Sequence, residues 1–124
     1  MIAHATVTSG LGRASARMIA KMRDGVFEPL AFTPYPGSLN LAMLPGYRTQ
    51  IARWPNYIED TRGRRYWPAR VRPGIDHHME SRDGVRCYVI LFQDHAELIA
   101  PAHLRSVFGL TDDDYVTIRL EDPA

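Results

Sequence analysis

Ser38 and Asn40 stand two residues apart in Pro36-Gly37-Ser38-Leu39-Asn40, and at strand spacing a hydroxyl and an amide oxygen then share one face. Neutral hard-oxygen donors of this kind suit a magnesium ion whose charge is balanced mainly by substrate phosphates. The same residue types also bond the backbone of turns, so the pair alone leaves both readings open. Upstream, Ser9-Gly10-Leu11-Gly12 follows a short apolar run. Glycines there permit a concave backbone that aims successive amides at one anion, although a plain turn has the same composition. A Walker-type phosphate loop is excluded, because the only lysine, Lys21, lies between Ala20 and Met22 and not in a Gly-Lys-Ser/Thr ending.

Two other clusters carry less. His77, His78, Glu80 and His95 match no strong metal-ligand spacing, and the first three fall in a turn-rich stretch where exposed histidines are ordinary. Arg62, Arg64, Arg65, Arg70 and Arg72 could form a basic stripe, but acidic residues flank it and no run of stacking aromatics accompanies it, so a solvated mixed-charge face is expected and nucleic acid is not. The chain as a whole agrees, with 15 basic and 14 acidic side chains and a net charge of +1. Cys87 is the single cysteine, which rules out an internal disulfide, and its apolar surroundings fit a small buried hydrophobe. No apolar stretch approaches the ~20 residues of a membrane-spanning helix and no signal peptide is evident, so no membrane partner is expected and the cytoplasm is the expected location.

The elements that must position these residues are short. Ile2 to Thr8 reads as a strand entering the glycine turn, and Ala14 to Arg23 places Met18, Ile19 and Met22 at helical spacing. Pro34 and Pro36 hold the backbone extended ahead of a strand that starts at Ser38 or Leu39. Strands are expected at Tyr66 to Val71 and Val85 to Phe92, separated by Pro73-Gly74 and Arg82-Asp83-Gly84. Ala96 to Ala100 is a further apolar run, a helical turn follows Pro101, and Tyr115 to Leu120 alternates as a strand. Many short strands with little helix argue for a barrel or sandwich, and the 124 residues are read as a single domain, 1–124.

Taken in order, Val7-Thr8-Ser9-Gly10-Leu11-Gly12, then Leu30-Ala31-Phe32-Thr33-Pro34-Tyr35-Pro36-Gly37-Ser38-Leu39-Asn40-Leu41, then Glu97-Leu98-Ile99-Ala100-Pro101-Ala102-His103-Leu104-Arg105 resemble the archaeal CTP-dependent riboflavin kinase family. The closing Phe108-Gly109-Leu110-Thr111-Asp112-Asp113-Asp114-Tyr115-Val116 is similar to that family's final turn and strand. The resemblance implies a mainly β chain, a six-stranded cradle-loop barrel with one or two short helices. It implies transfer of phosphate from CTP to riboflavin, giving FMN and CDP, with Mg2+ as cofactor and a monomer expected. Carried across residue by residue, Gly10, Leu11, Gly12, Arg13, Ala14 and Ser15 would hold the nucleotide together with Ala102, His103, Leu104 and Arg105. Ser38 and Asn40 would ligate magnesium, and Glu97, with Gln93 nearby, would face the flavin. Catalysis would then fall to Arg105, steadying phosphate charge, and Glu97, orienting the ribityl hydroxyl or accepting its proton. Without the resemblance, Glu97 between Ala96 and Leu98 reads as a solvent-facing residue on an edge strand.

The chain departs from the family pattern at four places. Arg13-Ala14-Ser15 replaces the usual continuation of the glycine turn, which brings an acidic residue and a glycine. Ser38 stands for a threonine and keeps its hydroxyl. Asp113 takes a position where glycine is usual, and aspartate tolerates the left-handed backbone better than most residues. The segment before Glu97 is shorter and lacks a flavin-contacting threonine, with Gln93, Asp94 and His95 there instead. Two alternatives therefore accompany the kinase reading: the same chemistry on a different hydroxyl acceptor, and a non-catalytic nucleotide-binding regulator.

Overall fold

The computed structural model describes residues 1–10 and 14–123. Among the described residues, seven strands and three helices follow one another: β1 (Ile2–Thr8), α1 (Ala14–Arg23), β2 (Leu39–Met43), α2 (Pro45–Ala52), β3 (Ile58–Glu59), β4 (Arg65–Pro73), β5 (Val85–Leu91), β6 (Ala96–Ile99), α3 (Leu104–Phe108) and β7 (Tyr115–Leu120). Six strands close into an antiparallel barrel in the order β4-β5-β6-β2-β1-β7, with β7 returning to β4. β3 is a two-residue addition on the free stretch of β4. Closure leaves the barrel without open edges, which is how a small all-antiparallel sheet avoids pairing with other chains.

The interior follows from period-two alternation. Ala3, Ala5 and Val7 of β1 point inward beside Leu39 and Leu41 of β2, and β7 contributes Val116, Ile118 and Leu120. Trp67, Ala69 and Val71 of β4, Cys87 and Val89 of β5, and Ala96 and Leu98 of β6 complete the core, with Ile51 and Leu104 closing over it from α2 and α3. Small and large residues thus share an interior only wide enough for side chains. Burial raises the Cys87 thiol pKa far above its ordinary value, so the buried-hydrophobe reading of that residue holds. A second apolar layer lies outside the barrel, where Tyr66, Tyr88, Ile90 and Ile99 are covered by Met18 of α1 and by Val26, Phe27 and Leu30 after it.

The expected elements are present, and α2 and β3 are added in the middle third. Pro45 at the start of α2 supplies a preset helical φ, but no side chain caps that helix, which is why its sequence gives little warning of it. Asp113 adopts φ 72°, the left-handed backbone expected of it, and its N–H bonds the Val7 carbonyl at 2.8 Å.

Candidate active site

Alternation decides which residues reach the outer barrel wall. With Val7, Leu39, Leu41, Ala96 and Leu98 turned inward, Thr8, Asn40 and Glu97 face outward. Strand register places Thr8 opposite Asn40, Asn40 opposite Glu97, and Glu97 opposite Ile90. Ser38 lies in the bend just before β2, and its hydroxyl donates a short hydrogen bond to Glu97 Oε1. Ser38, Asn40 and Glu97 therefore form one cluster, and β6 is an inner strand between β5 and β2. The edge-strand reading of Glu97 is corrected by this pairing: its side chain is 17% exposed and both carboxylate oxygens are engaged, the second by His95 Nε2 at 2.7 Å.

Gly10 is where the first glycine turn meets this cluster. A Cβ built there would overlap the Asn40 amide nitrogen, so only glycine lets the turn approach the side chain that closely. The turn is held from the other side: Arg105 Nη2 donates to the Thr8 carbonyl at 3.0 Å and to Asp112 Oδ1 at 2.7 Å, and Ser9 donates to the other Asp112 oxygen. Hydrogen bonds from Ser9 and then Arg105 hold the Asp112 carboxyl below its ordinary pKa. Arg105 thus already braces the turn.

The remaining expected nucleotide residues gather at the same end of the barrel. Ser15, exposed in the first turn of α1, donates to the Pro36 carbonyl at 2.6 Å, and Tyr35 N–H bonds the Ala100 carbonyl at 2.7 Å. A narrow cleft of about 10 Å³ is lined by Gly37, Ser38, Ala102, His103, Leu104 and Arg105, among others. His103 packs on Tyr35 with ring centroids 5.0 Å apart. Gly10, Ser15, Ser38, Asn40 and residues 102–105 are therefore brought together, Ala14 begins α1, and Leu11, Gly12 and Arg13 lie outside the described residues. Gln93 is exposed in the β5–β6 turn and is held by no hydrogen bond among the described residues.

A larger cavity, about 580 Å³, is lined by Lys21, Asp60, Arg62, Gly63, Arg64, Arg65, Trp67 and Leu91. Asp60 is buried and accepts from the Arg62 and Arg64 amides at 2.8 and 3.1 Å and from Tyr66 Oη at 2.7 Å. Burial pushes its pKa up, but the Tyr66 hydroxyl and the two amides outweigh it and leave the carboxyl below its ordinary value. Burial and then the Arg64 charge lower the Lys21 pKa, with Asp60 opposing, Arg62 adding to the fall and Glu97 opposing. Lys21 thus feels both this cavity and Glu97. The cavity was not foreseen from the sequence, because its residues come from three separate segments of the chain.

The basic stripe is occupied internally. Arg64 lies 4.6 Å over the Phe92 ring and Arg65 4.4 Å over Tyr57, while Arg72 pairs with Asp76 and Asp83. The histidines are dispersed too: His77 meets His4 edge-on, His95 is at Glu97, and among the described residues no group of three or more His, Cys, Asp or Glu could hold a metal. No helix among the described residues is long and apolar enough to cross a membrane.

Comparisons with known proteins place the chain in a family. The family model CTP-dep_RFKase, described as domain of unknown function DUF120, matches residues 7–120. The riboflavin kinase of Aeropyrum pernix is 33% identical over 95% of this chain and 94% of its own length. Riboflavin kinases of Methanospirillum hungatei and Halobacterium salinarum are 31% and 35% identical over 97% and 94% of this chain, which spans 58% and 55% of their lengths. Fold and relatives together define a β-barrel kinase. The chain belongs to the CTP-dependent riboflavin kinase family.

Proposed function

We propose that this barrel transfers the γ-phosphoryl group of CTP to a ribityl hydroxyl of riboflavin, giving FMN and CDP. The observation that carries the reading is the convergence of Gly10, Ser38, Asn40 and Glu97 on one patch of the outer barrel wall. Phosphoryl transfer asks a protein for positioning and charge neutralisation more than for covalent help, and this patch offers both.

The donor set fits magnesium. Ser38 donates its hydrogen bond to Glu97, which leaves the lone pairs of its oxygen for a cation, and the Asn40 amide nitrogen faces Gly10, which leaves Oδ1 available. When bound, magnesium supplies charge neutralisation on the nucleotide phosphates. The chain's own residues do the rest. The Gly10 turn and residues 102–105 hold the nucleotide, with Arg105 bracing the turn and steadying phosphate charge. Glu97 orients the acceptor: each carboxylate oxygen accepts one bond within the protein and keeps a second lone pair for the ribityl hydroxyl. That hydroxyl oxygen attacks the γ-phosphorus as the bond to the β–γ bridging oxygen breaks and CDP leaves, and the hydroxyl proton passes to Glu97 and from there to solvent.

The cavity at Lys21, Arg64 and Trp67 has the size of a small-molecule site, and its cations suit the acceptor-rich edge of a flavin ring. A single copy of the chain carries every residue named here. The test is a product assay with riboflavin, magnesium and each of CTP, ATP, GTP and UTP. FMN and CDP in equal amounts are expected from CTP, with the other three far slower; CTP binding without CDP release would replace the kinase with a regulator.

A further inference from the structure

His95 is held more tightly than its place in a surface turn requires. Its Nδ1 lies 2.7 Å from Asp94 Oδ1 and its Nε2 lies 2.7 Å from Glu97 Oε2. The ring stacks on Phe92 with centroids 4.8 Å apart and planes 6° from parallel, and the Arg64 guanidinium also packs on Phe92. The His95 carbonyl accepts from Arg48 of α2 at 2.9 Å and from the Phe92 amide at 2.9 Å. Ionised carboxylates only accept hydrogen bonds, so both ring nitrogens must carry protons for both contacts to be made. Partial burial lowers the pKa of the ring, and the bonds and charges of Asp94 and Glu97 outweigh this and raise it. The other charges nearby are Arg48 and Arg64, while Lys21 of α1 acts on Glu97.

A glutamate side chain has three rotatable torsions, and one hydrogen bond leaves its carboxylate free to pivot. Two bonds from opposite sides fix the plane. Ser38 supplies one and His95 the other. The family resemblance covers Ser38 and Glu97 and does not extend to Gln93-Asp94-His95.

We propose that His95 is a positioning residue for phosphoryl transfer, anchoring Glu97 Oε2 so that Oε1 accepts the Ser38 hydrogen bond and the Ser38 lone pairs stay free for a cation. The inference rests on the proposed function for its kinetic consequence and on the geometry alone for the hold itself. Outer-shell partners of this kind typically change activity or metal affinity 10- to 100-fold when removed.

The experiment has two arms. In the kinetic arm, His95→Ala should lower kcat by roughly 10- to 100-fold with KM for riboflavin and CTP within about threefold, and His95→Gln, whose amide can still donate to Glu97, should recover most of the loss. An unchanged kcat in His95→Ala, or an equal loss in His95→Gln, overturns the proposal. In the second arm, ring-nitrogen NMR of the parent chain should show both His95 nitrogens protonated near neutral pH, and Glu97→Gln should lower the pH at which the ring titrates. A neutral ring indifferent to Glu97→Gln overturns it even where His95→Ala fails to fold. A parent chain that makes no FMN would instead strike at the kinase reading, and the NMR arm would still decide whether His95 holds Glu97.

Discussion

Gly10→Ala should separate activity from stability. The added Cβ would fall on the Asn40 amide nitrogen and come within 3.0 Å of Asn40 Cγ. Carbon contacts are comfortable at about 3.5–4.0 Å, so the amide must swing away by about an ångström or more. Gly10 is not among the glycines with a left-handed backbone, so alanine can adopt its conformation. An off-rotamer Asn40 costs about 0.5–1.5 kcal/mol. Loss of backbone freedom in the unfolded chain offsets about 0.4–1 kcal/mol of that. The net is close to zero, and the thermal midpoint should move by no more than about 5 °C. Activity should respond differently, since misplacing a positioning group by ~1 Å can cost about 100-fold, near 2.7 kcal/mol of transition-state stabilisation. The assay is steady-state FMN formation for the parent, Gly10→Ala, Asn40→Ala and the double variant, with thermal melts of each. If Gly10 acts by leaving room for Asn40, the double variant is no worse than Asn40→Ala. Full activity in Gly10→Ala, or losses that simply add, would refute the coupling.

Asn40→Ala should lower magnesium-dependent turnover at least as far as Gly10→Ala does, while the barrel melts within a few degrees of the parent, because this side chain is half-buried on the outer wall and absent from the core; normal turnover would remove it from the metal site. Lys21→Met should leave kcat within about threefold, as no Walker lysine is present, and Lys21→Met and Arg64→Ala should both raise KM for riboflavin with KM for CTP unchanged; a collapse of kcat in Lys21→Met would relocate the phosphate site. Asp60→Ala should destabilise by about 2–3 kcal/mol in denaturant melts, since it strands the fully buried Tyr66 hydroxyl and two amides. Asp60 has a lowered folded-state pKa, so its contribution is present above the unfolded carboxyl pKa and is lost as pH falls through the folded one; the gap between parent and Asp60→Ala should therefore narrow in acid, and a gap independent of pH would contradict that assignment.

Much of the barrel was legible because its inward faces alternate: Ala3, Ala5 and Val7, or Val116, Ile118 and Leu120, announce a strand with one buried side. α2 was not, since its apolar residues are few and it lacks a side-chain cap. The shared face of Ser38 and Asn40 was legible from a spacing of two, whereas the contact of Gly10 with Asn40 spans strands β1 and β2 and depends on the register in which they pair. Glu97 read as an edge residue because sequence does not say that β6 has a neighbour on each side. His95 and Glu97 share the spacing that joins Ser38 to Asn40 and could have been paired on that ground; the Asp60 cavity, built from α1, the β3–β4 turn and β5, carries no comparable signature.

Transfer itself is tested most directly with CTP labelled at the γ-phosphorus, incubated with the full chain, magnesium and riboflavin, and followed by separation of products. The account predicts that the label moves into FMN, one for each CDP formed. Label that stays in CTP, or emerges as inorganic phosphate while riboflavin is unchanged, would contradict it.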